Sequence, residues 1–244
     1  MVLGNAPLCG AVKRNTPQLK AALNDFIKSH RLGTVYGNTI LHRYLQQTKW
    51  VEDATSREDL KRFNEMVTLF QKYGNQYDYP YLMLAAQAYQ ESRLNQRLRS
   101  RAGAVGVMQI KPSTAAHSPI NIHDVYKLDR NIEAGAKFMR FIETQYFESG
   151  LADLVTESLF ATASYNAGPE KIQALRKKAA GHGYNPNLWF NNVEIIASVE
   201  IGRQTVDYVR NIYTYYLTYK MVIARQAKST EVKEKIEANK SSGL

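Results

Sequence analysis

The chain has 244 residues, 44% of them hydrophobic, with a single cysteine and a formal charge of +10. That length buries one good core plus a smaller appendage, which excludes two domains of ordinary size. The lone Cys9 excludes an internal disulfide and a multi-cysteine metal site; with only APL before it and no hydrophobic run, it reads as a small buried residue rather than a lipid anchor site. No stretch approaches the roughly 18 to 20 consecutive apolar residues that span a bilayer, and MVLGNAPLCGAVKRNT shows no export signal, so no transmembrane segment is expected. The excess of Lys and Arg favours an anionic partner. Its positive charges are dispersed, without the dense basic helix or stacked aromatics of a nucleic-acid binder, so no nucleic-acid partner is expected.

In chain order, LCGAV is compatible with a short strand. Thr16 to His30 then reads as a helix, opened by Thr16 and Pro17 and carrying Leu19, Leu23, Phe26 and Ile27 at helical spacing. The polar and aromatic stretch through Trp50 has no clear period. From Ser56 a strong helical pattern sets Leu60, Phe63, Met66, Val67 and Phe70 on one face until Gly74. A second strong helix starts at Pro80 and runs to about Arg93. The glycines of SRAGAVGV, three residues apart, then require a loop with unusual backbone angles. Further helices are predicted over Asn131–Tyr146, Leu151–Asn166, Glu170–Lys178, Val193–Ile201 and Gln204–Arg225. The charged tail after Arg225 reads as an exposed helix end or a disordered segment. Little alternating pattern follows residue 50, so the fold class is all-α.

One carboxylate stands out. Leu84, Ala88 and Glu91 recur at i, i+4 and i+7, so Glu91 shares a helix face with apolar residues. A carboxyl withdrawn from water without a cationic partner gains pKa, which is what a general acid needs near neutral pH. The alternative is that Glu91 turns outward at the helix end, or pairs with Arg93 or Arg97. From Ser92 to His123 there is no Asp or Glu, whereas ordinary glycosidases need two carboxylates. The absence of a local second acid suggests a reaction in which the attacking hydroxyl belongs to the substrate, with one Glu serving first as acid and then as base.

At these residues the chain becomes recognisable. YQESRLNQRLRSRAGAVGVMQIKPSTA resembles the first signature of the family 1 lytic transglycosylases, with Val107 where leucine is usual. SYNAGPEKI is similar to the family's Ala-Tyr-Asn-Ala-Gly segment, with Ser164 for the first alanine, and QTVDYVRNIYTYY to its Glu-Thr-x-x-Tyr-Val-x-x-Ile helix. The three motifs occur in order over residues 80 to 220. The resemblance implies a lysozyme-like (goose-type or SLT) helical domain that binds peptidoglycan glycan strands in a cleft. There it would cut the β-1,4 bond between N-acetylmuramic acid and N-acetylglucosamine without water, closing a 1,6-anhydro ring. It also implies the roles. Glu91 would be acid then base; Ser100 and Gln109 would hydrogen-bond the sugar, Met108 would line the cleft, and Tyr165 with Asn166 would hold sugar and carboxyl in register. Gln204 and Tyr208, from the third motif, would complete the binding set. Gln204 stands where the family commonly has Glu, which puts any electrostatic support from that position in doubt. Tyr213, Tyr215, Tyr216 and Tyr219 are read as packing or surface residues.

No cofactor is called for. His117, His123 and His182 lack ligand spacing, so no metal site is expected. Trp189, in an apolar Leu-Trp-Phe cluster, reads as buried sooner than as a sugar platform. GAVKRNTPQLKAALNDFIKSHRLGT resembles the closing segment of the α/β solute-binding-like module that precedes the catalytic domain in the membrane-bound lytic transglycosylase F group. The expected organisation is therefore a remnant of that module with a linker over 1–50, a catalytic domain over 51–225 and a charged tail over 226–244. By resemblance, a monomer in the periplasm or peripherally associated with the outer membrane of a Gram-negative bacterium is expected. A goose-type lysozyme-like hydrolase and a non-catalytic glycan-binding protein remain as alternatives.

Overall fold

The computed structural model describes residues 16–30, 56–147 and 153–241. The chain divides into two compact units, residues 1–48 and 49–244. In the first, the described part is the helix α1 (Pro17–His30), which begins at the predicted Pro17 and carries Leu19, Leu23, Phe26 and Ile27 exposed. The expected LCGAV strand, Cys9 and the stretch through Trp50 lie outside the described residues.

The regular structure among the second unit's described residues is helical: α2 (Arg57–Gln76), α3 (Tyr81–Ser92), a short α4 (Pro112–Ala116), α5 (Leu128–Tyr146), α6 (Leu154–Ala167), α7 (Pro169–Gly181), a π-turn (Trp189–Val193), α8 (Glu194–Glu200) and α9 (Arg203–Ser241). Pairing between extended segments is limited there to two isolated bridges, Arg99 with Val105 and Val105 with Ile110. The all-α expectation holds. Ser56 caps α2 by accepting a hydrogen bond from the Asp59 N–H at 3.2 Å, and the predicted stripe delivers Phe63, Met66 and Phe70 to the core.

The helix that bears Glu91 is the central one. Every residue of α3 from Met83 to Tyr89 is buried, as expected of a helix enclosed on all sides. Its chief neighbours are α9 and α2. Tyr89 of α3 meets the edges of Tyr215 and Tyr219 of α9, and Tyr219 stacks on Phe63 of α2 with ring centroids 4.2 Å apart. Tyr215 and Tyr219 are therefore core residues. Trp189 is buried edge-on against Phe160 and is not a sugar platform. Helix α9 does not end near Arg225 but continues to Ser241. Nothing in KSTEVKEKIEANKS breaks a helix, because it has no Pro or Gly and is rich in Lys and Glu.

Several predicted boundaries move. Helix α5 begins at Leu128 rather than Asn131, which puts Asn131 inside a helix. The short α4 was not anticipated; Pro112 sits at its start, where the missing proline N–H costs nothing.

Candidate active site

Helix α3 ends one residue after Glu91. Arg93 and Leu94 both take left-handed backbone angles, with φ of 51° and 59°, and reverse the chain. Arg93 lies over the ring of Tyr89, 5.7 Å from its centroid. Glu91, the last residue but one, points inward and accepts a short hydrogen bond from the hydroxyl of Tyr208 on α9. Burial pushes its carboxyl up to about 7, and the Tyr208 hydrogen bond opposes part of that rise by favouring the ionised form. The outward-turned alternative is thereby set aside.

The glycine-rich segment 93–111 folds over this helix end and is fastened by three polar side chains. Ser92 donates to the carbonyls of Ala88 and Val107 and accepts from the Asn95 N–H. Gln96 accepts from the Val107 N–H at 3.0 Å and donates to the Tyr126 carbonyl, also at 3.0 Å. Asn131 of α5, fully buried, accepts from the Met108 N–H at 2.8 Å and donates to the carbonyls of Val105 and Val125. The backbone groups of this segment would otherwise be orphaned inside the protein. Gly106 runs at φ +78°, and a Cβ there would stand 2.4 Å from the Asn131 amide. Glycine is thus called for here twice over, by the backbone angle and by the close approach of Asn131.

The expected site residues separate into three groups. Glu91, Tyr208 and Tyr165 come together: the Tyr165 hydroxyl donates to the Met108 carbonyl at 2.7 Å, and burial and the nearby Glu91 push both tyrosine hydroxyls well above their ordinary range. Gln109, half-buried, and exposed Ser100 and Asn166 are engaged in local bonds. Gln109, itself at φ +47°, donates to the carbonyls of Gly106 and Leu98. Exposed Ser100 accepts from the Ala104 N–H, and exposed Asn166 accepts from Thr205 at 2.9 Å.

Met108 and Gln204 are placed otherwise. The Met108 side chain does not line a cleft. It is fully buried, and its Cγ stands 2.5 Å from where a Cβ on Gly135 would be; a thioether of this flexibility fills the gap left by the missing side chain. What Met108 presents toward Tyr165 is its backbone carbonyl. Gln204 is exposed in the first turn of α9, one turn before Tyr208.

Asn131, Gln96 and Thr205 were not singled out from the sequence. Buried Asn131 at a non-apolar point of an otherwise amphipathic helix was the available signal. Among the buried carboxyls, Glu143 of α5 was also missed; burial pushes it up to about 8. Groups of three or more metal-ligating side chains are absent among the described residues.

The chain's similarities agree with this geometry. The Transglycosylase SLT domain family profile matches residues 68–187. A membrane-bound lytic murein transglycosylase F of Desulfosudis oleivorans is 25% identical over 86% of this chain and 49% of its own length. The protein of the same description from Shewanella pealeana is 32% identical over 68% of this chain and 36% of its own. The chain thus spans about half, or less, of the length of these relatives. Among solved structures, the 70 kDa soluble lytic transglycosylase of Escherichia coli superposes with a TM-score of 0.50 at 24% identity, over 64% of this chain and 24% of that one, which speaks for the fold. With the profile, the relatives and the lysozyme-like helical fold in accord, the chain belongs to the Transglycosylase SLT domain family through residues 68–187.

Proposed function

We propose that this protein is a peptidoglycan lytic transglycosylase that cleaves the bond between N-acetylmuramic acid and N-acetylglucosamine, leaving 1,6-anhydromuramic ends. The observation that carries the reading is the isolated Glu91 carboxyl, held protonated to about pH 7 by burial and met by the hydroxyl of Tyr208. Among the described residues no Asp or Glu bonds to it or shifts it. A lone carboxyl with a near-neutral midpoint can give its proton to the leaving oxygen and afterwards take one from a substrate hydroxyl. Among the described residues, no second carboxylate acts on Glu91 as the inverting arrangement's water-activating base would.

In this mechanism Tyr208 holds the Glu91 carboxyl in one orientation and stabilises the carboxylate formed once the proton has left. Tyr165 fixes the Met108 carbonyl and with it the loop bearing Gln109. Gln109, Ser100, Asn166, Gln204 and Tyr208 then supply hydrogen-bonding groups to the sugar ring and its N-acetyl arm, which keeps the 6-hydroxyl near the reacting carbon. The relatives are named as membrane-bound murein enzymes, and this supports an envelope location in a Gram-negative cell. No helix among the described residues is long and apolar enough to cross a membrane. We further propose the division into an N-terminal remnant over 1–50, a catalytic domain over 51–225 and a tail over 226–244. Digestion of purified peptidoglycan followed by mass spectrometry tests the function: fragments ending in 1,6-anhydromuramic acid are expected, and reducing ends alone would assign a hydrolase instead.

A further inference from the structure

The loop folded over the end of α3 is one-sided in charge. Between Ser92 and His123 the sequence has five Arg and Lys and no Asp or Glu, and three of the five, Arg97, Arg99 and Arg101, are exposed close to Ser100 in the chain. None of the three meets a carboxylate among the described residues. The first acid beyond the loop, Asp124, is taken by Lys127 at 3.0 Å. Like charges gathered on one segment repel, and that segment carries no counter-charge of its own.

Arg99 is also held in one place. Its backbone pairs with that of Val105, and between them Ser100 to Ala104 closes as a turn, the Ser100 N–H donating to the Ala104 carbonyl at 2.9 Å, with Arg101 in the turn itself. The Arg99 Nη1 donates to the carbonyls of Gln96 and Leu98, both at 2.8 Å, and the guanidinium lies 5.3 Å from the centroid of the Tyr126 ring. These hydrogen bonds spend Nη1 alone. The Nε–H and Nη2–H edge, the fork that matches the two oxygens of a carboxylate, has no acceptor among the described residues. An exposed arginine ordinarily keeps much rotamer freedom; one fixed by two carbonyls and a ring, with its fork unspent, is preorganised for an anion.

Arg99 also stands next to the proposed sugar contacts. The Leu98 carbonyl that accepts from Arg99 accepts from the Gln109 side-chain amide as well, at 3.3 Å, so the guanidinium and that amide converge on one oxygen atom. Ser100 follows directly in the chain. In peptidoglycan the sugars are uncharged apart from what hangs on the muramic acid, a short stem peptide with free carboxylates.

We propose that Arg99 receives a carboxylate of this stem peptide, with Arg101 adding charge from the turn, and that the site thereby selects peptide-bearing strands. The inference rests on the reading of the chain as an enzyme of peptidoglycan strands. Arg99 meets the substrate away from the bond that breaks, so its contribution falls on binding and not on the proton transfer at Glu91.

The test compares native peptidoglycan strands with the same strands after carbodiimide coupling to ammonia, which turns the carboxylates into carboxamides of nearly equal size. Wild type is expected to cleave native strands with a kcat/KM about fivefold higher, the difference lying in KM and shrinking as salt is raised. Arg99→Gln is expected to bring the two substrates within about twofold of each other. Arg99→Lys, which keeps the charge and loses the fork, is expected to retain part of the preference. Lys177→Gln, which removes one exposed charge from α7, is expected to keep all of it. Equal cleavage of the two substrates by wild type overturns the proposal. So does an Arg99→Gln that slows both alike, since that is the mark of a residue that only holds the loop, and so does a Lys177→Gln that loses the preference as Arg99→Gln does, since net charge then explains it. Co-sedimentation with the same strands needs no turnover: wild type that binds native strands in preference but cleaves neither would end the transglycosylase reading and leave the Arg99 site standing.

Discussion

Tyr208 and Glu91 lie 117 positions apart in sequence and share a short hydrogen bond that ties the long C-terminal helix to the end of the central one. The bond has a direction: it favours the ionised carboxyl and so works against the burial that raises it. Tyr208→Phe removes this opposition. The Glu91 midpoint is expected to rise above about 7, moving the alkaline limb of the pH profile upward, while the rate at the optimum falls about tenfold through lost orientation. An unmoved alkaline limb in Tyr208→Phe would contradict this assignment.

Glu91→Gln removes the proton donor and keeps the side chain's shape. Cleavage of purified peptidoglycan is expected to fall by about a thousandfold or more, with glycan co-sedimentation retained. Turnover within tenfold of wild type would exclude Glu91 as the acid.

The loop over the site depends on Asn131, whose amide satisfies one N–H and two carbonyl groups of the backbone. Asn131→Ala leaves those groups unpaired in a buried position, at a cost of about 3 kcal/mol. Gly106→Ala meets both a left-handed φ and the Asn131 side chain, and about 2 kcal/mol is expected. Thermal unfolding checks both. Activity should fall further than stability in each, because the loop also carries Ser100 and Gln109.

Glu143 makes the fold sensitive to alkali on energetic grounds that do not depend on catalysis. Its folded midpoint, about 8, lies above the ordinary value of 4.5. The protonated acid is accommodated below 4.5, and stability is lost progressively as pH rises from there through about 8. The loss amounts to several kcal/mol, because each pH unit separating the folded from the unfolded midpoint contributes about 1.4 kcal/mol. Glu143→Gln should therefore gain in Tm relative to wild type as pH rises from 5, with the difference widening up to about pH 8. A constant difference across that range would show that Glu143 does not titrate in the core.

Much of this molecule can be read along one dimension. The stripe of Phe63, Met66 and Phe70, the glycine loop at 106 and the placing of Glu91 on one face with apolar residues follow from periodicity and local chemistry, because helix geometry relates residues three or four apart; that Glu91 turns inward is a property of the folded chain. The three ordered motifs likewise identified the family.

What only the tertiary structure decided depends on contacts between distant segments. Met108 belongs to a family motif, yet its side chain turns into the space above Gly135, and a missing Cβ 27 positions away leaves no local trace. Asn131 looks like one more polar residue of an amphipathic helix until the loop it fastens is folded against it. Glu143 lies on the buried side of α5 with Arg140 three residues before it, but how far a carboxyl there is satisfied depends also on Ser158 of the next helix folding against it. The sequence by itself determined the helices and the identity of the proposed acid; packing decided the environment that sets its proton, since desolvation is a property of everything that surrounds a group and not of its neighbours in the chain.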